Sequence, residues 1–144
     1  MLAVSGKLDL TQFGPGTLDQ NMTRRSVYFF IKRSQLIPMM MLFDWPEHLV
    51  SIGRRPVTTI APQALMFMNS PQGRDYAMAF AQRLPQDVPE QTVREAWRFA
   101  FGRVPSDAES AASIKFLKQQ PDPDQAIVNL CQTILSMNEF VYVE

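Results

Sequence analysis

Four helix starts are written into the second half of this chain, and they leave few folds open. Ser70-Pro71 pairs an N-cap hydroxyl with a proline at the first helical position, where its missing N–H does no harm. Asp87 with Glu90, Ser106 with Glu109, and Asp122 with Gln125 share one spacing, at which a cap side chain and a third-position side chain satisfy each other's unpaired N–H groups. Gly102 stops the first of these three helices and Pro121 the second. The apolar residues agree with these limits. Tyr76, Ala77, Phe80, Ala81 and Leu84 share one face, and Val93, Ala96, Trp97, Ala100 and Phe101 a second. Ala111, Ile114 and Leu117 line a third, and Ile127, Cys131, Ile134, Leu135 and Val141 a fourth. Helices this short are marginal alone, so the stripes must meet, and the short links favour antiparallel neighbours. Asn138-Glu139-Phe140 closes the last helix, where Glu139 opposes the helix dipole and calls for a specific partner such as an arginine.

The first half is less regular. Gly14-Pro15-Gly16 cannot lie inside a helix or a central strand, so residues 1–23 read as an irregular arm, with Leu8 and Leu10 on a short edge strand or packed on the core. The run Arg24-Arg25-Ser26-Val27-Tyr28-Phe29-Phe30-Ile31-Lys32-Arg33-Ser34 sets two basic pairs around an apolar, aromatic middle. Its β-branched and aromatic residues favour a strand. The run does not alternate, however, and Ser26, Phe30 and Arg33 fit helical turns, so a helix is expected there. A short helix over 37–43 ends at Asp44-Trp45-Pro46, a loop follows over 46–60, and Pro62 to Met68 forms another short helix. The expectation is an all-α chain, a compact bundle of about six short helices with an irregular N-terminal arm. It forms one domain over 1–144, with the arm at 1–23, a basic and Met-rich part at 24–84 and an acidic three-helix part at 85–144.

A chain of 144 residues with 46% hydrophobic content can bury a core. Fourteen basic and fourteen acidic residues cancel, which argues against nucleic acid as the main partner. The charge is uneven, though. Residues 21–60 hold six basic and two acidic side chains, a net of +4, and residues 85–144 hold five and nine, a net of −4. The two parts attract each other, face different partners, or simply present solvated faces. Cys131 and His48 are the only residues of their types, so no internal disulfide, zinc cluster or Cys-x-x-Cys-His haem site can form, and no cofactor is expected in this chain. No basic-then-apolar leader and no apolar run of about 18 residues is present, so the chain reads as neither an exported precursor nor a membrane span.

Three sets of residues are candidates for chemistry. Asp44, Glu47 and His48 place two carboxylates and an imidazole close together, with Trp45 as a stacking surface, a mix suited to acid–base work on a sugar or ester. The structural alternative is a helix stop in which Asp44 caps nearby N–H groups. Arg24, Arg25, Lys32, Arg33, Arg54 and Arg55 form the candidate binding set for phosphate or an acidic partner. Their structural alternative is a set of arginine forks on loop carbonyls or on the acidic helices. Met39-Met40-Met41 points in three directions on a helix and cannot converge on a metal, but can form an exposed apolar patch. Cys131 lies on an apolar stripe, where a buried thiol is the default.

Several segments also resemble one family. They are Val4-Ser5-Gly6-Lys7-Leu8-Asp9, the Arg24–Ser34 run, Leu42-Phe43-Asp44, residues 58–65 (Thr-Thr-Ile-Ala-Pro-Gln-Ala-Leu), Met68-Asn69-Ser70-Pro71 and Asn138-Glu139-Phe140. In this order they resemble the C-terminal domain of unknown function of large exported planctomycete proteins that also carry cytochrome-c-like domains. The family domain is longer, and here Met1 falls in what looks like a helix leading into Val4-Ser5-Gly6, so the chain looks like the C-terminal part of that domain. The resemblance implies export, haem in a neighbouring domain, and no known catalytic residues. The leading expectation is a non-catalytic module that docks on other domains or on itself through an apolar Met and aromatic patch. The alternatives are an enzyme fragment using Asp44, Glu47 and His48, and a phosphate- or nucleic-acid-binding module using the arginine pairs.

Overall fold

A computed structural model describes residues 1–32, 34–45, 53–54, 58 and 60–142. The chain divides into two units, Met1–Lys7 with Ala64–Glu144, and Leu8–Gln63. Among the described residues the helices are α1 (Leu2–Ser5), α2 (Pro38–Leu42), α3 (Ala61–Asn69), α4 (Pro71–Ala81), α5 (Pro89–Phe101), α6 (Asp107–Gln119), α7 (Pro123–Leu135) and α8 (Asn138–Val141). The only β structure among them is three isolated bridges, so the chain is all-α.

The helix starts follow the local chemistry, with one displacement. Ser70 Oγ accepts the Gly73 N–H at 2.9 Å, and Pro71 holds the first helical position of α4. Ser106 and Glu109 close the reciprocal box at the start of α6. At α7, Asp122 Oδ1 accepts from the N–H groups of Asp124 (3.0 Å) and Gln125 (3.2 Å). Helix α5 does not begin at Asp87. Val88 is its N-cap, in extended conformation, and Pro89 is the first helical residue. A cap at Asp87 would need Val88 to be helical, and the ring of the following proline disfavours that. The end of α4 is satisfied instead by Gln86, whose Nε2 donates to Ala81 O (2.8 Å) and Leu84 O (3.1 Å). Gly102 adopts a left-handed φ of 69° and stops α5.

The predicted stripes meet in one core. Ala77, Phe80, Ala81, Leu84, Val93, Ala96, Trp97, Ile127, Leu130, Cys131, Ile134 and Leu135 form it. The most extensive packing is between α4 and α7; α1 lies on α4, and α6 is held between α5 and α7. Ala111 is exposed, and α6 turns Ser113, Ile114, Phe116 and Leu117 toward its neighbours instead. The last stripe is not one helix. α7 stops at Leu135, and Asn138–Val141 forms the separate turn α8, with Glu139 in its first turn, so its carboxylate favours that short helix rather than opposing a long one.

The Leu8–Gln63 unit departs from the expected helix over 24–34. Only Ser26–Tyr28 forms one 3-10 turn, after which the chain runs extended from Phe29. Thr17 N–H donates to Tyr28 O (3.0 Å) and Phe30 N–H to Thr17 O (2.8 Å). Phe29 is buried and Phe30 is exposed, as successive residues of an extended chain face opposite ways, and Ile31 is exposed as well. Gly16 permits the pairing, because a Cβ there would stand 3.0 Å from the Tyr28 carbonyl oxygen. Leu8 and Leu10 flank a single bridge between Asp9 and Arg24.

Candidate functional site

Asp44 follows α2 at a left-handed φ of 57°. Its Oδ2 accepts the Thr58 N–H (2.6 Å) and its Oδ1 the Thr58 hydroxyl (2.7 Å). Buried Gln63 reinforces this corner by donating from Nε2 to Leu42 O (3.0 Å) and Thr58 O (3.1 Å). Both oxygens of the one described carboxylate in the acid–base cluster are therefore engaged in closing a loop. Glu47 and His48 lie outside the described residues, as do Arg33 and Arg55 of the basic set.

Arg24 works as a fork on loop carbonyls. Its Nε donates to Thr11 O (3.1 Å), Nη1 to Pro15 O (3.4 Å) and Nη2 to Phe13 O. The guanidinium lies 3.5 Å over the Tyr28 ring, and Tyr28 Oη accepts the Phe13 N–H at 3.0 Å. One arginine and one tyrosine thus fix the loop 11–15 through its backbone. Arg25, Lys32 and Arg54 are exposed. The most exposed apolar side chains of this unit are Leu10, Phe13, Val27, Phe30 and Ile31. Met39, Met40 and Met41 are half-buried in α2, so the methionine run is not the exposed patch. Sequence reasoning missed the Phe13 loop; the Gly14-Pro15-Gly16 turn beside it was the available signal.

Three further arginines tie the helical unit together. Arg74 on α4 donates from Nη1 to Asn129 Oδ1 (2.8 Å) and Gln132 Oε1 (2.7 Å), and from Nη2 to Gln125 Oε1 (2.8 Å), all on α7. Gln125 therefore accepts from Arg74 and leaves its expected capping box half made. Arg83 donates from Nη1 to the carbonyls of Ala3 and Val4 and lies 4.4 Å over the Phe99 ring, fastening α1. Arg103 grips Glu109 from Nη1 and Nη2 (2.9 and 2.7 Å) and Glu139 from Nε and Nη2 (2.7 Å each). Glu139 has the expected arginine partner, although at the start of α8 it opposes no helix dipole. The hydrogen bonds from Arg103 hold both carboxyls below the usual carboxylate range, Glu109 the more so because Ser106 also donates to it.

Between α6 and α7 runs a groove of about 280 Å³ whose lining includes Trp97, Ala112, Phe116, Leu130, Ile134 and Met137. Trp97 is buried, and its Nε1–H has no hydrogen-bond partner among the described residues. Burial pushes the Cys131 thiol up to about 12, which leaves it inert as a nucleophile near neutral pH. Among the described residues no three His, Cys, Asp or Glu side chains gather as a metal site would need, and no helix is long and apolar enough to cross a membrane.

A family described as "PSD1: Protein of unknown function (DUF1553)" matches residues 1–117, and the chain belongs to it. The matched stretch holds the Val4–Asp9, Arg24–Ser34 and Ser70-Pro71 segments and ends before Asn138-Glu139-Phe140. No curated protein and no solved structure matches the chain.

Proposed function

We propose that this family member serves as a non-catalytic docking module that holds other domains, or copies of itself, in a larger exported and haem-associated protein. One observation carries the reading. The Leu8–Gln63 unit spends its Arg24, Tyr28, Asp44 and Gln63 side chains on its own backbone while leaving Leu10, Phe13, Val27, Phe30 and Ile31 in solvent. Polar groups used for scaffolding and apolar groups turned outward are the reverse of a catalytic cleft, and fit a surface made to be covered. The exported, cytochrome-bearing setting enters through the family resemblance. The test is ANS fluorescence on the folded chain and on a Phe13→Ser, Val27→Ser, Phe30→Ser triple variant. The reading expects the native chain to bind the dye and the variant to lose most of the signal with its helical circular dichroism intact. A native chain that does not bind ANS overturns it.

A further inference from the structure

Asp19-Gln20-Asn21-Met22-Thr23 places a threonine two residues after an asparagine, with a residue other than proline between them. That is the acceptor pattern for N-linked glycosylation. The other asparagines of the chain, Asn69, Asn129 and Asn138, have Pro71, Cys131 and Phe140 at the same place, so the pattern with a hydroxyl occurs once. Asp19 adds a carboxylate two residues before Asn21, which completes the acidic five-residue form that bacterial oligosaccharyltransferases read. Three residues match by chance often enough that placement has to decide, and an acceptor asparagine must lie on a surface loop.

Asn21 does. Residues 18–23 run between two bridged positions, Thr17, which pairs with Phe29, and Arg24, which pairs with Asp9. Asp19, Gln20, Asn21 and Thr23 are exposed. Asp19 O accepts the Met22 N–H at 3.1 Å, which sets Gln20 and Asn21 at the tip of a turn. Asp19 Oδ1 accepts the Asn21 N–H at 2.9 Å, and Thr17 Oγ1 accepts the Asp19 N–H at 3.1 Å. These bonds hold the backbone and leave the chemistry of the motif free. The Asn21 side-chain amide, the Thr23 hydroxyl and Asp19 Oδ2 have no hydrogen-bond partner among the described residues. Asn129, by contrast, has its side chain engaged by Arg74. A sugar on Asn21 would displace no buried side chain.

We propose that Asn21 is an N-glycosylation site, modified by an oligosaccharyltransferase that draws on an oligosaccharide carried by a lipid pyrophosphate. Asn21 Nδ2 attacks the anomeric carbon of the first sugar. The new N–C bond forms as the C–O bond to the pyrophosphate breaks, the lipid pyrophosphate leaves with the electron pair, and the amide gives one proton to the transferase. Nothing is oxidised or reduced. The Thr23 hydroxyl and the free Asp19 oxygen are the handles by which the enzyme takes its register. One backbone hydrogen bond closes the turn, so opening it for the enzyme costs little. The site rests on the exported setting of the docking module, where such transfer takes place.

The experiment is mass spectrometry of the chain recovered from its native cells, with cytoplasmic and exported fractions kept apart. Trypsin cuts after Lys7 and after Arg24, and the peptide between them, residues 8–24, holds Asn21 as its only asparagine. That peptide from the exported fraction is expected to carry the added mass of sugars, placed on Asn21 by electron-transfer fragmentation. Asn21→Gln and Thr23→Ala, expressed in the same cells, are each expected to lose the added mass. Both positions are exposed, so either variant can fold, and circular dichroism checks that it does. Thr23→Ala keeps the asparagine, so its loss of sugar shows that the motif is read and not the amide alone. A bare peptide on the exported chain overturns the proposal and leaves export standing. Sugar that survives either substitution overturns it as well. A chain found only in the cytoplasm with a bare peptide overturns both the site and the exported setting.

Discussion

Gly73 sits in the first turn of α4, buried, at the corner where α3 turns into α4. Two opposed effects meet there, and their sizes decide the sign of Gly73→Ala. Alanine in place of a helical glycine ordinarily gains about 1 kcal/mol. Here a Cβ would stand 2.6 Å from the Phe67 carbonyl oxygen and 3.1 Å from Ser70 Oγ. The first obstacle is backbone, not a flexible side chain, so the last turn of α3 must move. Overpacking of this kind costs about 1–3 kcal/mol. The second obstacle is the cap itself, since Ser70 Oγ accepts the Gly73 N–H, a bond worth about 1 kcal/mol. The balance is a net loss of about 1–3 kcal/mol. Urea unfolding followed by far-UV circular dichroism measures it. Ser70→Ala is the reference, losing the cap alone at about 1 kcal/mol. The double variant should lose less than the sum, because both changes act through one hydrogen bond. A Gly73→Ala chain as stable as wild type would refute the close approach of Phe67 O and the corner built on it.

Glu109 and Glu139 have carboxyls lowered in the folded chain from an ordinary value of 4.5, so their pairing with Arg103 stabilises fully above that pH and weakens as pH falls through the lowered folded values. Glu109→Gln and Glu139→Gln should each lower the melting temperature at neutral pH and flatten its fall in acid. The effect is greater for Glu109, which also holds Ser106, and an unchanged acid limb would count against the triad. Arg24→Lys removes the fork on Thr11, Phe13 and Pro15. Hydrogen exchange at the Phe13 amide should then accelerate about tenfold or more while the helical melting transition stays in place; equal protection would show that the loop holds without it. Cys131 should resist thiol reagents at neutral pH until the helical unit unfolds, and rapid labelling of the native chain would contradict its burial.

The helical unit was legible because its signals are local. A cap, a proline at the first helical position and a stripe repeat within one helix, and each restricts the backbone on its own. The error at Asp87 was local too, since the Val88-Pro89 pair outranks a spacing match. The segment after Arg24 was not legible. What makes it extended is a pairing with Thr17 and the lack of a side chain on Gly16, neither visible in the segment itself. The basic set misled for a similar reason. Arg24 looks like a ligand-binding cation beside Arg25, but its acceptors are carbonyls nine to thirteen residues back. Arg74 gave no signal, because its three amide acceptors lie more than fifty residues away.

The two units solve the problem of apolar surface in opposite ways. In the helical unit Phe80, Val93, Ile134 and Leu135 leave water entirely, and burial of such side chains contributes about 1.5–3 kcal/mol each. In the Leu8–Gln63 unit Phe29 and Ile37 are buried, but Leu10, Phe13, Val27, Phe30 and Ile31 stay wet, and much of the order comes from hydrogen bonds made by Arg24, Tyr28, Asp44 and Gln63. Hydrogen bonds in water contribute only about 0.5–1.5 kcal/mol net. That unit therefore has little stability to lose and gains most from whatever covers Phe13 and Val27. A covering partner that binds the ordered loop stabilises it by mass action, in proportion to the logarithm of its concentration over its Kd. Raising the concentration of a covering partner should accordingly slow hydrogen exchange in residues 11–30 first and leave the already protected core of α4 and α7 unchanged. That order of protection would mark the Leu8–Gln63 unit as the binding element.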